Sequence, residues 1–339
     1  MNILFDISHP AHFHLFKNLI AHLMSRGNNV KITIRHKDVL KDLIKHAGFS
    51  YLELAEPAKN YIGFAWELFI RDIRMYLLCC RFKPDILVGS STNISHVGAL
   101  LSKPSLVFSE DDDHVVSLFS YLTYPFAHKI INPSCIEYNK WKRKRTFHNS
   151  YHELAYLHPD NFKVDKSILK KYDLQDKQYI VVRFSALKAH HDLGASGISE
   201  DMWTRIKHMF SSYQIVRTIE NDRSHRIEPW DMHHILSQAK MIVSDSQTMT
   251  IEGAILGIPA IRINTFIGKS SVLSELENRY RLAIGILPNN ENEIMKQIRM
   301  ILESPDIDQI WASRRKKMLS DKEDLNQWII DFITKEIRI

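Results

Sequence analysis

Short, solid apolar runs alternate along this chain with longer stretches whose apolar residues recur at helical spacing. Residues 2–6 form the first run and predict a buried strand. Residues 13–26 carry Phe13, Leu15, Phe16, Leu19, Ile20 and Leu23 on one helical face, and Gly27 closes that helix. "NVKITIR" then predicts a strand. The alternation continues with a helix over 37–47, a strand over 50–54 and a helix over 61–82. "DILVGSS", "SLVFSE" and "KIINPS" predict strands, separated by helices over 92–101 and 114–125. Strands alternating with helices predict a parallel sheet covered on both faces.

The pattern lapses across Tyr151–Asp165, which reads as an interdomain connection. A second series follows. "YIVVRFS", "YQIVRTIE", "MIVSDS" and "PAIRIN" predict strands, with helices near 199–210, 230–238 and 248–256 between them. The predicted fold class is α/β, with two Rossmann-like doubly wound domains in tandem facing a cleft. Their expected limits are 1–155 and 165–315. Residues 316–339 are expected to form a C-terminal helix that packs back on the first domain. Ligands are expected at the C-terminal edges of both sheets.

Composition narrows the class. The chain has 339 residues, too many for one ordinary core, and its 45% hydrophobic and 25% charged content suits globular domains. A net charge of +6 favours anionic partners such as nucleotides, phosphorylated substrates or a membrane face. No nucleic-acid partner is expected. Cys79, Cys80 and Cys135 form no paired framework and predict reduced thiols, hence a cytoplasmic chain. Asp6 and His9 interrupt the opening apolar run, so no signal peptide is expected.

The stretch with the sharpest chemistry is "SDSQTMTIEGAILGIPAIRIN", residues 244–264. A strand ends, Ser244–Ser246 turn, and a helix begins. Free N–H groups at a helix start form a cradle for a diphosphate. Glu252, under two turns further on, is placed to accept hydrogen bonds from two ribose hydroxyls. The same residues also describe a plain capped helix, with Asp245 or Ser246 as N-cap and Gly257–Pro259 as its stop. In "VVRFSALKAHHDLG", Arg183 and Lys188 follow a strand end and would neutralise diphosphate.

Asp245-Ser246, Glu252, Gly257, Pro259 and Arg262 together resemble the donor-nucleotide motif of GT-B-type proteins, especially the UDP-GlcNAc 2-epimerase group and MurG-like glycosyltransferases. "DISHPAHFHLFK", "YIVVRFSALKAHHD" and "EGAILGIPAI" resemble, in order, a little-characterised family of predicted glycosyltransferases with that fold. The resemblance implies a nucleotide-sugar held by the second domain, near Ser246, Gln247, Thr248 and Glu252. It implies that no dinucleotide cofactor is required. Two departures bear on the activity. The epimerases carry two glycines where this chain has Gln247 and Thr248, and an aspartate where it offers Ser90, Ser91 and Thr92. The expected reaction is therefore sugar transfer to an acceptor hydroxyl, with epimerisation of a nucleotide-sugar and non-catalytic nucleotide-sugar binding as the alternatives.

In the first domain, "SEDDDHVV" places Glu110 and Asp111 after a strand end, either as an acidic helix start or as support for catalysis. Glu110 falls where the epimerases place an acidic catalytic residue. The opening "DISHPAHFHLF" spaces His9, His12 and His14 as H-x-x-H-x-H. Zinc would need further ligands that the motif does not supply, so no metal is expected. On the resemblance, His12 or His9 is the base that takes a proton from the acceptor, with Glu110 or Asp111 in support. Two further stretches point to a lipid-linked glycan acceptor and a peripheral contact with the inner face of the plasma membrane. They are the amphipathic 61–82 helix and the basic, aromatic "YNKWKRKRTFH", which equally describes a solvated surface.

Overall fold

The computed structural model describes residues 1–35, 39–55, 58, 61–185, 197–220 and 227–337. Two sheets organise them. The first contains β1 (Asn2–Ile7), β2 (Asn29–Ile34), β3 (Leu52–Glu53), β4 (Ile86–Gly89), β5 (Ser105–Phe108), β6 (Lys129–Pro133) and β7 (Arg145–His148). The second contains β8 (Tyr179–Phe184), β9 (Gln214–Ile219), β10 (Met241–Ser244), β11 (Ala260–Ile263) and β12 (Ala283–Ile286). Their orders are β3-β2-β1-β4-β5-β6-β7 and β12-β11-β10-β8-β9. Every adjacent pair is parallel.

The solid apolar runs become central strands because helices cover both of their faces. Ile3, Leu4 and Phe5 of β1, and Ile180, Val181 and Val182 of β8, are wholly buried. The close fit extends to the backbone. A Cβ on Gly89 would stand 2.4 Å from the Asp6 carbonyl oxygen, so a side chain there would push β4 off β1.

Each sheet reverses its winding once. The chain leaves β1 for β2 and β3 on one side, then crosses to β4 on the other. In the second sheet β9 lies on one side of β8, and β10 to β12 lie on the other. The carboxyl ends of β1 and β4, and of β8 and β10, are therefore the two switch points where open α/β sheets take ligands.

The chain divides into two compact units. One holds Met1–Tyr156 and the chain from Glu323 onward; the other holds Leu157–Lys322. The helix Ile307–Asp321 is continuous and carries the second unit past residue 315. The helix Leu325–Ile337 belongs to the first unit and packs on the helix Pro10–Ser25. It is fastened there by Lys129 Nζ to Glu336 Oε1 at 2.6 Å, and by the Ser150 hydroxyl donating to the Glu323 carbonyl at 2.7 Å.

Two stretches differ from their sequence expectation. Tyr151–Tyr156, read as part of a connection, is buried and belongs to the first unit. It is one short helical turn sealed on all sides, so it carries no periodic signal. The "KWKRKR" run is only partly a solvated face. Arg145 opens β7 with its side chain fully buried, donating to both Asp113 oxygens at 2.6 and 2.7 Å and to Asn132 Oδ1 at 2.7 Å. Its guanidinium lies 5.2 Å from the Tyr124 ring and 4.9 Å from the Tyr138 ring. The alternation does not predict β7, because "RTFH" is short and mostly polar, or β12, where "AIGI" has only a weak pattern.

Candidate functional site

In the second unit the switch point is built from the turn after β10. Ser246 N donates to Ser244 Oγ at 2.8 Å, which bends the chain into the helix Gln247–Leu256. Ser246 is the N-cap: its hydroxyl accepts from Met249 N at 3.5 Å, and its carbonyl accepts from the Thr250 hydroxyl at 2.7 Å. Asp245 turns back beneath the loop, where its Oδ1 accepts from Ser185 N at 2.5 Å. Burial pushes this carboxyl above the ordinary range, and the Ser185 hydrogen bonds pull the other way.

Ser246, Gln247 and Thr248 are half-buried at the helix start, where first-turn N–H groups have no acceptor within the helix. Arg183 is the register partner of Ser244 on the neighbouring strand, and its Nε is buried without a hydrogen-bond partner among the described residues. The helix ends at Gly257, whose φ of +82° is the left-handed C-cap. A Cβ there would meet Arg315 Cδ at 2.4 Å.

Glu252 is buried within this helix, and its Oε1 lies 3.0 Å from His233 Nε2. A carboxylate that also has a protein partner is fixed in direction, which suits recognition of a sugar ring but also suits simple packing. Arg262 is an internal strut. Its side chain is fully buried and its Nη2 donates to Glu277 Oε1 at 2.8 Å. Lys188 lies outside the described residues.

In the first unit the histidines of the opening stretch separate into different roles. His9 is the N-cap of the helix Pro10–Ser25, and its Nδ1 accepts from Ala11 N at 3.2 Å. That bond makes Nε2 the protonated nitrogen of a neutral ring, hence a donor rather than a base. His12 shares a 3.2 Å hydrogen bond between its Nδ1 and Ser8 Oγ. When Nδ1–H donates to Ser8, Nε2 is left with its lone pair. His14 is buried and stacks on Tyr156 with 5.1 Å between rings. Its place on the core side of the amphipathic helix puts it there.

The acidic run also divides. Asp112 Oδ1 accepts from Glu137 N at 2.5 Å, and Asp113 holds Arg145 and Asn139 N. Asp111 is exposed. Glu110 is half-buried, with its Oε2 3.5 Å from His152 Nδ1.

The motif reading missed His152. Burial first, then the nearby His148 and His12, hold its pKa well below that of an ordinary histidine, so the ring is neutral at pH 7. Its Nε2 is buried without a hydrogen-bond partner. Among the described residues, Ser90 and Ser91 after β4 likewise bury hydroxyls that lack partners, and the Ser91 side chain makes no cap bond to the helix it precedes. Unpaired buried polar atoms are uncommon in folded proteins. Here they fall on residues that follow the carboxyl ends of β4 and β7, two strands of the same sheet. The available signal for His152 was a polar His–Glu pair set inside the apolar run of "YHELAYL". A lone-pair imidazole, a carboxylate and a neutral histidine on neighbouring segments supply the groups needed for proton transfer.

Solved structures share this architecture over the whole chain. UDP-GlcNAc 2-epimerase from Neisseria meningitidis, bound to UDP-GlcNAc, matches with a TM-score of 0.72 at 11% identity, covering 99% of this chain and 100% of that one. The S. aureus MnaA–UDP co-structure matches at 0.68 and 12%, covering 99% and 97%. The spinosyn forosaminyltransferase SpnP matches at 0.66 and 14%, covering all of both chains. At these identities the likeness is one of fold, and the fold is the GT-B type with two Rossmann-like domains. Curated proteins give no match by sequence. Over residues 1–337 the sequence fits the family described as "Protein of unknown function (DUF354)", and the chain belongs to that family.

Proposed function

We propose that this protein is a glycosyltransferase that moves a sugar from a nucleotide-sugar donor to an acceptor hydroxyl, in the synthesis of surface polysaccharide or lipid-linked glycan. The observation that supports the reading is a capped helix start at a sheet switch point beside an Arg183 Nε that lacks a partner among the described residues. At the β8/β10 switch point, the helix start at Ser246, Gln247 and Thr248 and the unpaired Arg183 Nε would hold the donor diphosphate. Glu252, steadied by His233, would accept from the ribose hydroxyls. Lys188 would add positive charge. The reading calls on no further cofactor, because the nucleotide-sugar is itself the substrate.

The acceptor would bind at the first unit. His12 Nε2 takes the acceptor proton as the oxygen attacks the anomeric carbon and the nucleoside diphosphate leaves. This requires the tautomer in which Nδ1–H donates to Ser8 Oγ. Glu110, beside neutral His152, would stabilise the imidazolium that forms. His9 is committed to its cap, so His12 ranks above it, and exposed Asp111 ranks below Glu110.

Epimerisation is the second reading. Glu110 and the fold shared with the Neisseria epimerase favour it. Ser90 and Ser91 in place of an acid count against it. The test is a panel of UDP-, GDP-, CDP- and dTDP-sugars. Thermal shift identifies the donor, since stabilisation follows RT ln(1 + [L]/Kd), about 2.7 kcal/mol at 100 Kd. Product analysis then separates transferred sugar from epimerised donor. Epimerised donor with no acceptor requirement would overturn sugar transfer.

A further inference from the structure

The helix Tyr61–Phe82 buries Met75, Cys79 and Phe82 in the core, yet it also carries a large apolar outer face. Two of its charged residues face the protein: Arg71 pairs with buried Asp6 at 2.9 Å, and Glu67 takes both Nε and Nη2 of Arg35. Several large apolar residues of the helix face outward. Trp66 is 63% exposed and Phe69 52%, and Phe64, Ile73 and Leu77 are exposed beside them. A contiguous exposed apolar surface of this kind marks an interaction site.

The apolar surface extends beyond one helix. The β3→β4, β4→β5 and β5→β6 crossovers all step in one direction across the sheet, so right-handed connection puts their helices on the same face. Those helices are Tyr61–Phe82, Thr92–Leu100 and Ser117–Thr123, and they pack side by side. His96 joins them, with Nδ1 2.8 Å from Asp72 and Nε2 2.8 Å from the Leu122 carbonyl. The third helix adds Leu118, 64% exposed, and exposed Tyr121.

Cations border this layer. Lys140 Nζ lies 4.8 Å from the Tyr121 ring centre, Trp141 packs edge-on to that ring, and Lys142 and Arg143 follow, both exposed. Among the described residues no helix is long and apolar enough to cross a membrane.

We propose that this face docks on an anionic phospholipid surface, with Trp66, Phe69 and Leu118 entering the interface and Lys140, Lys142 and Arg143 meeting the headgroups. Charge complementarity selects this occupant. An apolar surface alone would suit a second copy of the chain, whereas an aromatic face bordered by exposed cations matches a negatively charged interface.

The test is flotation of the full chain with vesicles of phosphatidylcholine mixed with phosphatidylglycerol, against phosphatidylcholine alone. Wild type is expected to float with the anionic vesicles and to be released by salt. Trp66→Ser with Phe69→Ser should abolish flotation. Replacing Lys140, Lys142 and Arg143 by Ser should weaken binding about fivefold per charge, on the order of a hundredfold together. All five side chains are exposed, and circular dichroism verifies that the variants fold. Absence of wild-type flotation, or flotation unchanged in both variants, overturns the proposal. So does light scattering that shows a wild-type dimer broken by Trp66→Ser and Phe69→Ser, which would assign the face to a second copy.

Discussion

His12 and His9 lie three positions apart in one short stretch, and their hydrogen bonds give them different chemistry. His9 spends its acceptor nitrogen on Ala11 N, whereas His12 is oriented through Ser8. His12→Ala is expected to lower turnover by about 10²–10⁴-fold while donor affinity is retained. Single-turnover kinetics with a donor-binding isotherm checks this, and full turnover in the variant would remove His12 as the base. Glu252→Ala is expected to weaken donor binding by about 1.5–3 kcal/mol, the worth of a charge-assisted hydrogen bond. His233→Ala should reproduce part of that loss by freeing the carboxylate's direction. Calorimetric titration of both variants measures it, and unchanged donor affinity in folded Glu252→Ala would reject the ribose role.

Elements show how one run of like residues is divided by its neighbours. Within "KWKRKR", Arg145 is locked between two tyrosine rings and Asp113, while Lys142 and Arg143 are exposed. Arg145→Ser should therefore cost about 3–5 kcal/mol, because Asp113 is left buried without its cation. Lys142→Ser should stay within about 0.5 kcal/mol. Urea midpoints compare the two, and equal midpoints would show that the Arg145 pair has no structural weight. Gly257 is a second such case. Alanine there must adopt φ +82° and would also meet Arg315, so a loss of at least about 1–2 kcal/mol is expected in the same assay.

For the whole molecule, two buried or half-buried histidines set opposing pH dependences. The hydrogen bond that His96 donates to Asp72 raises its pKa above the ordinary 6.5, against a smaller lowering by burial. Its contribution to stability is complete below the unfolded value and is lost as pH rises through the raised folded one. His152 is depressed, chiefly by burial. The unfolded chain then binds the extra proton, so stability is complete above about pH 6.5 and falls as pH drops below it. His96→Gln should flatten the alkaline side of a stability–pH curve, and His152→Gln the acid side. Chemical denaturation from pH 5 to 8 reads both slopes, and a His152→Gln curve that still falls towards acid would assign that slope to other groups.

Much of this protein is set by local pattern. Apolar runs that must be buried on both faces read as central strands, Gly27 and Gly257 stop their helices, and Ser246 caps the helix that begins at Gln247. These are short-range effects of backbone and side chain, and a linear string contains them. The tertiary structure decided which polar residues meet. Asp113 belongs to Arg145 across 32 positions, and Glu110 belongs to His152 in a stretch whose periodicity says nothing. It also decided that the helix Tyr61–Phe82 keeps a row of large apolar residues outward while Met75, Cys79 and Phe82 turn inward, since periodicity does not say which apolar residues are covered. Here Asp6 on β1 and Arg35 after β2 hold Arg71 and Glu67 against the sheet, and the aromatic residues are left facing out.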